Sequence, residues 1–435
     1  MPERASLLAP GATATPDLPA MALAQSATLA SGAPVARADR RRVLFIEHAA
    51  SRNGASLLLL ELLQWLQGTA GAGHGLQCEV LCEARGPLLP AFRALAPTHA
   101  LLRPYRLQGQ WPLRAGQGVA TWLDEHWFGA FLRWRRIDLV YANTAAAWPQ
   151  VPAVLRSGVP LLWHIHELPY ALDLTLRSAA QRALLAQADR VVAVSQPVAD
   201  ALVGGYGVAP ERIDRVHGFV ATAALSVADA AVARSELLTA LGWPADAFVV
   251  GACGGPGWRK GSDLFLQIAA RVVRERLPRP IHFLWVGGAD GDVEARRFAH
   301  DVAALGLQGR CRLLPATEHV DRCYAAMDVL ALTSREDPFP LVVLEAAGHG
   351  VPTVAFAGAG GAAEFVADGA GIVVPYLDLG AFAMVLKRLC AWPALRDALG
   401  ENGRGKVQAQ HRVATQGPLL LHSMRQCMDR RSRTA

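Results

Sequence analysis

The feature that most constrains the fold is an alternation of short, continuously apolar runs with segments of helical period. In the first half the runs are "VLFIE" (43–47), "CEVLCE" (78–83), "DLVYAN" (138–143), "VPLLWHIHE" (159–167) and "RVVAVS" (190–195). Helical patterns separate them near 54–67, briefly after 83, near 148–157 and on to about 187. Strands apolar on both faces and alternating with helices build a parallel sheet covered on both sides. The Ala-rich stretch 218–246 has no such run, after which the alternation restarts with "FVVGACGG" (248–255), "IHFLWVGG" (281–288), "GRCRLLP" (309–315), "DVLALTS" (328–334), "PTVAF" (352–356) and "GIVVP" (371–375). The expectation is an α/β chain of two doubly wound domains, 41–220 and 247–410, facing each other across a cleft and joined by a linker over 221–246. Residues 411–435 read as a helix or tail returning to the first domain. An echo between "ADRVVAVS" (188–195) and "MDVLALTS" (327–334) suggests that the halves repeat one plan.

Residues 1–40, rich in Ala, Pro, Ser and Thr without a hydrophobic period, read as a disordered tail; "MPERASLLAP" lacks the layout of a signal peptide. The net charge of +6 is spread along the chain rather than gathered on one element, so nucleic acid is not an expected partner. Seven Cys at no metal-like spacing point to reduced thiols and a cytoplasmic protein. The most apolar stretch, "LLLLELLQWL" (57–66), is far short of the roughly 20 residues that a membrane-spanning helix needs.

Three stretches carry chemistry. "GGPGWRKGSD" (254–263) follows a buried strand and opens a helix, and glycines, helix amides and a cation together make a phosphate site. Only three of the 43 basic residues are Lys, which singles out Lys260 beside Arg259; a solvated cation at a Gly turn is the plainer reading. In "SREDPFPLVVLEAAGHG" (334–350), Pro340 suits the first position of a helix over about 341–349, and Leu341 and Glu345 share a face. Glu345 is placed to accept hydrogen bonds from ribose hydroxyls, or it merely favours the first turns of the helix. In "HIHE" (164–167) the two imidazoles share a strand face, as a structural pair, as a metal pair lacking a third ligand, or with His166 against a sugar. A fourth stretch, "DEHWFGAFLRWRR" (124–136), reads either as a helix packed on its sheet with a basic rim or as one lying on an anionic membrane.

Taken together, these residues resemble the retaining glycosyltransferases of family 4, which have the GT-B fold of two facing Rossmann-like domains. "SREDPFPLVVLEA" matches the family's acid, seven residues, then Glu, from Asp337 to Glu345. "NGAS" (53–56) resembles its acceptor-side loop, "WHIHE" its mid-domain His and acid, "WRKG" its phosphate Lys, and "AGAGGAAEFV" (357–366) its Gly-Gly turn followed by Glu364. The resemblance covers nearly all of 43–410. It implies transfer of a sugar from a nucleoside diphosphate sugar to a hydroxyl acceptor, in bacterial surface polysaccharide or glycolipid synthesis, with no metal or other cofactor. His166, Lys260 and Asp337 are the implied catalytic residues. The implied donor site takes Gly54, Arg259, Lys260, Arg335, Asp337, Phe339, Pro340, Leu341 and Glu345, and the acceptor side takes Asn53, Gly54, His164, His166 and Glu167. Within these, Glu345 holds the ribose, Asp337 the transferred sugar, Lys260 the diphosphate, and the Gly54 amide the distal phosphate. Two departures stand out: Asp replaces the family's usual Glu at 337, and Gly254 and Gly255 stand where an Arg is usual, leaving Arg259 or Arg335 as its substitute. The implied partners are the nucleotide sugar and a glycan or lipid-linked acceptor, with peripheral contact at the inner face of a membrane as an added reading. A nucleotide-sugar epimerase of the same design, or a nucleotide-sugar-binding protein without turnover, are the alternatives.

Overall fold

The computed structural model describes residues 41–68, 74–100, 127–221, 224–275, 277–289 and 291–432. The reading of 1–40 as a disordered tail lies outside the described residues.

Two parallel sheets form. The first has seven strands in the order β3-β2-β1-β4-β5-β6-β7: β1 Arg41–Glu47, β2 Leu76–Cys82, β3 Thr98–Ala100, β4 Leu139–Asn143, β5 Leu161–Ile165, β6 Arg190–Ala193 and β7 Ile213–Arg215. The second has six, in the order β10-β9-β8-β11-β12-β13: β8 Phe248–Cys253, β9 Ile281–Gly288, β10 Cys311–Pro315, β11 Val329–Leu332, β12 Thr353–Phe356 and β13 Gly371–Val374. Every central strand is one of the apolar runs, as full burial on both faces demands. The two strands the periodicity does not show, β3 and β7, are three-residue edge strands of partly polar composition, whose burial is too slight to select an apolar run.

The echo between 188–195 and 327–334 does not mark equivalent strands. β6 is sixth along its sheet in chain order and β11 fourth, so the likeness belongs to two buried strands rather than to a repeated unit. In both sheets the order reverses between the first and fourth strands, β1 with β4 and β8 with β11. Ligands of open α/β sheets bind at that reversal, beyond the carboxyl ends of the strands.

The helices that shape this edge are α1 (Gly54–Gln67), α2 (Pro169–Thr175), α3 (Gln196–Tyr206), α4 (Val227–Leu241), α5 (Ser262–Val272), α6 (Val320–Ala326), α7 (Leu341–Gly348), α8 (Ala362–Val366) and α9 (Val413–Ser432). The stretch expected as a linker therefore contains a fifteen-residue helix, α4, capped by Ser226 and packed on α6 of the second domain. Helix α9 lies on the first sheet, burying Leu420, Leu421, Met424 and Cys427 with Phe45, Leu62 and Tyr141. The chain thus crosses twice between domains, and the crossings touch: Val220 N–H donates to the His411 carbonyl at 3.0 Å, and His411 Nδ1 lies 3.1 Å from the Gly218 carbonyl.

Residues 127–135 form a helix on the first sheet. Phe128, Phe131 and Leu132 are buried, Arg135 binds Glu79 through two hydrogen bonds of 3.1 and 2.8 Å, and Trp127 and Trp134 remain exposed. All seven cysteines are free and buried. No helix among the described residues is long and apolar enough to cross a membrane.

Candidate functional site

The second domain's part of the site is built by two loops flanking the β8/β11 reversal. After β8, the chain turns through Gly254 and Gly257 and enters α5 through Gly261 at φ 68°. A Cβ at Gly261 would lie 2.0 Å from the Thr333 carbonyl, so only Gly lets this loop close on the loop after β11. That closure brings Lys260 to Asp337: Nζ donates to Oδ2 at 2.5 Å. Ser334 Oγ donates to the same oxygen at 3.1 Å, and Arg259 Nη1 approaches Oδ1 at 3.7 Å. Burial acts to raise the Asp337 pKa, but the two cations and the hydrogen bonds outweigh it and hold the carboxyl below its usual range.

Helix α7 begins beside this pair. Pro340 is its N-cap residue rather than its first helical residue, and the helix ends at Gly348 with His349 as cap. Glu345 faces inward and accepts a 2.7 Å hydrogen bond from Tyr324 Oη of α6. Burial raises the Glu345 pKa, while the Tyr324 hydrogen bond and the charge of Lys260 pull it back. Lys260, Asp337 and Glu345 therefore face one space at the start of α7, and free amides at a helix N-terminus add positive potential there.

Across the cleft stands the first domain's edge. Asn53 caps α1 by accepting the Ser56 N–H at 2.9 Å, and a Cβ on Gly54 would lie 3.6 Å from Leu341 Cδ1, so α1 and α7 present their N-termini to each other. At the ends of β4 and β5, Asn143 Nδ2 donates to Glu47 Oε2 at 2.7 Å and to the Ala55 carbonyl at 3.2 Å. Its Oδ1 must then accept, so His166 Nε2, 3.1 Å away, carries a proton and Nδ1 is left as the acceptor. Burial, with the nearby charge of His48, lowers the His166 pKa to about 3, so this imidazole is neutral at ordinary pH. Glu167 spends both oxygens on the Ala145 N–H, at 3.1 Å each, and Oε2 also accepts the His166 N–H at 2.9 Å.

The domains touch at several points around this space. Arg52 Nη1 meets Glu318 at 2.9 Å, the Tyr170 N–H donates to Glu336 at 3.0 Å, and the Tyr170 and Trp258 rings lie 4.9 Å apart. Glu364 on α8 accepts the first N–H of α3, from Gln196, at 2.7 Å and holds His217 Nε2 at 2.7 Å. His217 stacks on Phe339 at 4.8 Å. A groove of about 630 Å³ between α2 and α3, lined by Asp173, Arg182, Asp200 and Tyr206, contains none of the donor residues.

Residues 52–224 match the model of Glycosyltransferase Family 4, and residues 246–391 that of Glycosyl transferases group 1. A D-inositol 3-phosphate glycosyltransferase of Catenulispora acidiphila is 31% identical over 354 residues, 75% of this chain and 81% of that protein. The chain belongs to glycosyltransferase family 4. Among solved structures, Anabaena HepE in complex with UDP and glucose is similar with a TM-score of 0.71 at 22% identity, over 89% of this chain and all of that one. WaaG, a glycosyltransferase involved in lipopolysaccharide biosynthesis, is similar with a TM-score of 0.64 at 17% identity, over 88% of this chain and 99% of that one. Both show the same two-domain GT-B fold. The protein is a glycosyltransferase that uses a nucleotide-sugar donor.

Within this family 4 enzyme, Arg259, Lys260, Asp337, Leu341 and Glu345 gather in one place with Gly54 opposite, while Phe339 serves the domain contact. Three expected residues do not join them. Arg335 is bound by both oxygens of Asp263 at 2.8 and 2.7 Å, so its guanidinium is committed there, whereas the Arg259 side chain is 42% exposed. His164 is sealed inside the sheet at 1% exposure with Nδ1 2.5 Å from Tyr141 Oη, so it backs His166 instead of reaching an acceptor. Glu167 likewise orders the turn after β4. Among the described residues no group of three His, Cys, Asp or Glu side chains is arranged to hold a metal ion. Tyr324, His48 and His217 carry no motif spacing and were invisible to pattern reading, because each meets a partner distant in sequence: Glu345, Thr144 and the motif residue Glu364.

Proposed function

We propose that this glycosyltransferase moves a sugar with retained anomeric configuration from a nucleoside diphosphate held by the second domain to a hydroxyl of a bacterial surface glycan or glycolipid held by the first. The observation that carries the reading is the 2.5 Å contact of Lys260 with Asp337 beside Glu345, at the N-terminus of α7 and facing the N-terminus of α1. An ammonium between two helix N-termini is a seat for a diphosphate, and Glu345, held by Tyr324, suits the vicinal hydroxyls of a ribose. On donor binding Lys260 turns from Asp337 to the phosphate oxygens, freeing the carboxylate for hydroxyls of the transferred sugar. As the glycosidic bond breaks, negative charge grows on the leaving diphosphate, where Lys260, Arg259 and the helix amides are already oriented. The leaving phosphate takes the acceptor's proton, and His166, a neutral imidazole whose Nδ1 no described residue engages, contacts the sugar's reacting side. The cations that serve the diphosphate are the protein's own, and no metal or other cofactor is assigned.

Exposed Trp127 and Trp134, with Arg133 and Arg136, support peripheral contact of the first domain with an anionic lipid surface on the cytoplasmic side. The names of relatives point to a phosphorylated inositol as a second acceptor reading. A thermal-shift screen of UDP- and GDP-sugars tests the donor site: the preferred donor stabilises the protein, and Lys260→Ala and Glu345→Ala each abolish most of the shift. If neither substitution weakens donor binding, the site is misassigned. If the donor alone is isomerised, the protein is an epimerase; donor binding without nucleotide release across an acceptor panel marks a non-catalytic binder.

A further inference from the structure

We propose that Asn143 is a positioning residue: clamped by Glu47 and the Ala55 carbonyl, it fixes His166 as the tautomer protonated on Nε2, so that Nδ1 accepts a hydrogen bond from one hydroxyl of the transferred sugar and makes that hydroxyl a condition of transfer. This rests on the glycosyltransferase reading above, in which His166 meets the sugar, and adds what that contact demands of the donor and which side chains enforce it.

A backbone carbonyl can only accept, so the Asn143 side-chain atom 3.2 Å from the Ala55 oxygen is the amide nitrogen, whatever the ionisation of Glu47. The second amide hydrogen goes to Glu47 Oε2 at 2.7 Å, which leaves Oδ1 for His166 Nε2 at 3.1 Å. An amide oxygen carries no hydrogen. The hydrogen between the two therefore belongs to the imidazole, and a neutral ring protonated on Nε2 has its lone pair on Nδ1.

The clamp has little freedom. Glu47 is fully buried at the end of β1, and its other oxygen is held by His48 Nδ1 at 3.1 Å and the Ala49 N–H at 3.4 Å. Asn143, also fully buried, ends β4, and Thr144 after it holds φ 74° and ψ 159°, a region that residues other than Gly enter only at a cost. Thr144 is pinned there: its N–H donates to the His164 carbonyl at 2.9 Å, and its carbonyl accepts from Trp163 Nε1 at 2.8 Å. The His166 ring is set from behind as well, with the His164 ring 4.0 Å away, centroid to centroid, and its own N–H tied to Glu167. One amide thus joins the ends of β1, β4 and β5 to the start of α1, while His166 is only partly buried and no described residue engages its Nδ1.

A lone pair held in place selects by chemistry. A hydroxyl donates to it; a hydrogen in place of that hydroxyl leaves it unpaired, and a carboxylate, as in a uronic acid, has no hydrogen to give. The expected donor therefore carries a sugar that is neither deoxygenated nor oxidised to a carboxylate at the carbon facing His166.

The test uses the full chain and the nucleotide sugar that the thermal screen selects. Nitrogen-15 labelling of the histidines, with His166→Gln to assign the resonances, reads the tautomer by NMR: wild-type His166 is expected bare at Nδ1 and protonated at Nε2. In transfer assays with singly deoxygenated donors, one analogue should lose roughly tenfold or more in kcat/KM against its parent in the wild type, and little in His166→Ala. Asn143→Leu removes the acceptor for Nε2–H; it should mix the tautomers and erase most of that discrimination, while a persisting donor-induced thermal shift shows that the variant is folded. Asn143→Asp keeps an oxygen towards His166, with a proton shared between its carboxyl and Glu47, and should keep both tautomer and discrimination. A merely structural role would lower stability in these variants without moving the tautomer or the choice among donors. The proposal is overturned if wild-type His166 carries its proton on Nδ1, if no deoxygenated donor is discriminated in a manner that depends on His166, or if folded Asn143→Leu discriminates as the wild type does. The first two results need no Asn143 variant, so a failure of that variant to fold does not shelter the proposal. A wild-type protein that neither binds nor turns over any donor overturns instead the reading on which the proposal rests.

Discussion

Replacing Lys260 by Met should separate what this side chain does for the fold from what it does for a donor. In the ligand-free protein, Lys260 and Asp337 side chains are 15% and 8% exposed, so the pair is largely desolvated. Removing one member of such a pair costs about 3–5 kcal/mol, chiefly through the charge left behind. Here Arg259 at 3.7 Å and Ser334 at 3.1 Å still serve the carboxylate, which brings the expected loss to about 2 kcal/mol. Adding Asp337→Asn removes the orphaned charge and should restore more than half of that loss, because deleting both partners is far milder than deleting one. The pH dependence follows from the depressed pKa of Asp337. Its stabilisation is present above the ordinary carboxyl value of about 3.9 and vanishes as pH falls through the lower folded value. The gap between wild type and Lys260→Met is therefore widest near neutrality and closes in acid. Urea denaturation of the ligand-free proteins at several pH values measures this, while donor turnover should fall by roughly 10²–10³ in the single and the double variant alike. A gap that is constant with pH, or a double variant no more stable than the single one, would refute the coupling; a double variant with normal turnover would refute the catalytic role.

Other outcomes follow from neighbouring contacts. Tyr324→Phe removes the 2.7 Å hydrogen bond to Glu345 and should weaken UDP binding by about 1 kcal/mol in calorimetry; unchanged affinity means that Glu345 is not oriented by it. The raised pKa of Glu345 predicts that nucleotide affinity falls with falling pH already above the usual carboxyl range, and that Glu345→Gln is weaker but flat with pH over that window, as titrations with UDP can check. Glu364→Ala removes its hydrogen bonds to Gln196 N–H and His217 and should widen the cleft, seen as a larger radius of gyration in solution scattering of the ligand-free protein; equal radii would show that this contact does not hold the domains together.

The central strands of both sheets were legible in the sequence, because a strand buried on both faces must be apolar throughout, and the partly buried edge strands β10 and β13 were legible from their runs of Leu and Val. The turn chemistry of 254–263 and the spacing from Asp337 to Glu345 were legible for a similar reason: local geometry at a strand end demands glycines and a helix start at set positions. Lys260 stood out by composition alone, as one of three Lys in an Arg-rich chain. The sequence could not say that Arg335 would be taken by Asp263, that His164 would be sealed behind Tyr141, or that the ribose-binding candidate Glu345 would depend on Tyr324. Nor could it pair Glu364 with His217 or gather Glu47, Glu83 and Glu167 around His48. Those outcomes turn on which loop ends meet when two sheets are laid edge to edge, and on how far each charged group is taken out of water. Patterns along the chain carry burial and turn geometry, which are local demands; the partner of a given side chain is set by distance in space, and only the packed tertiary structure decides that.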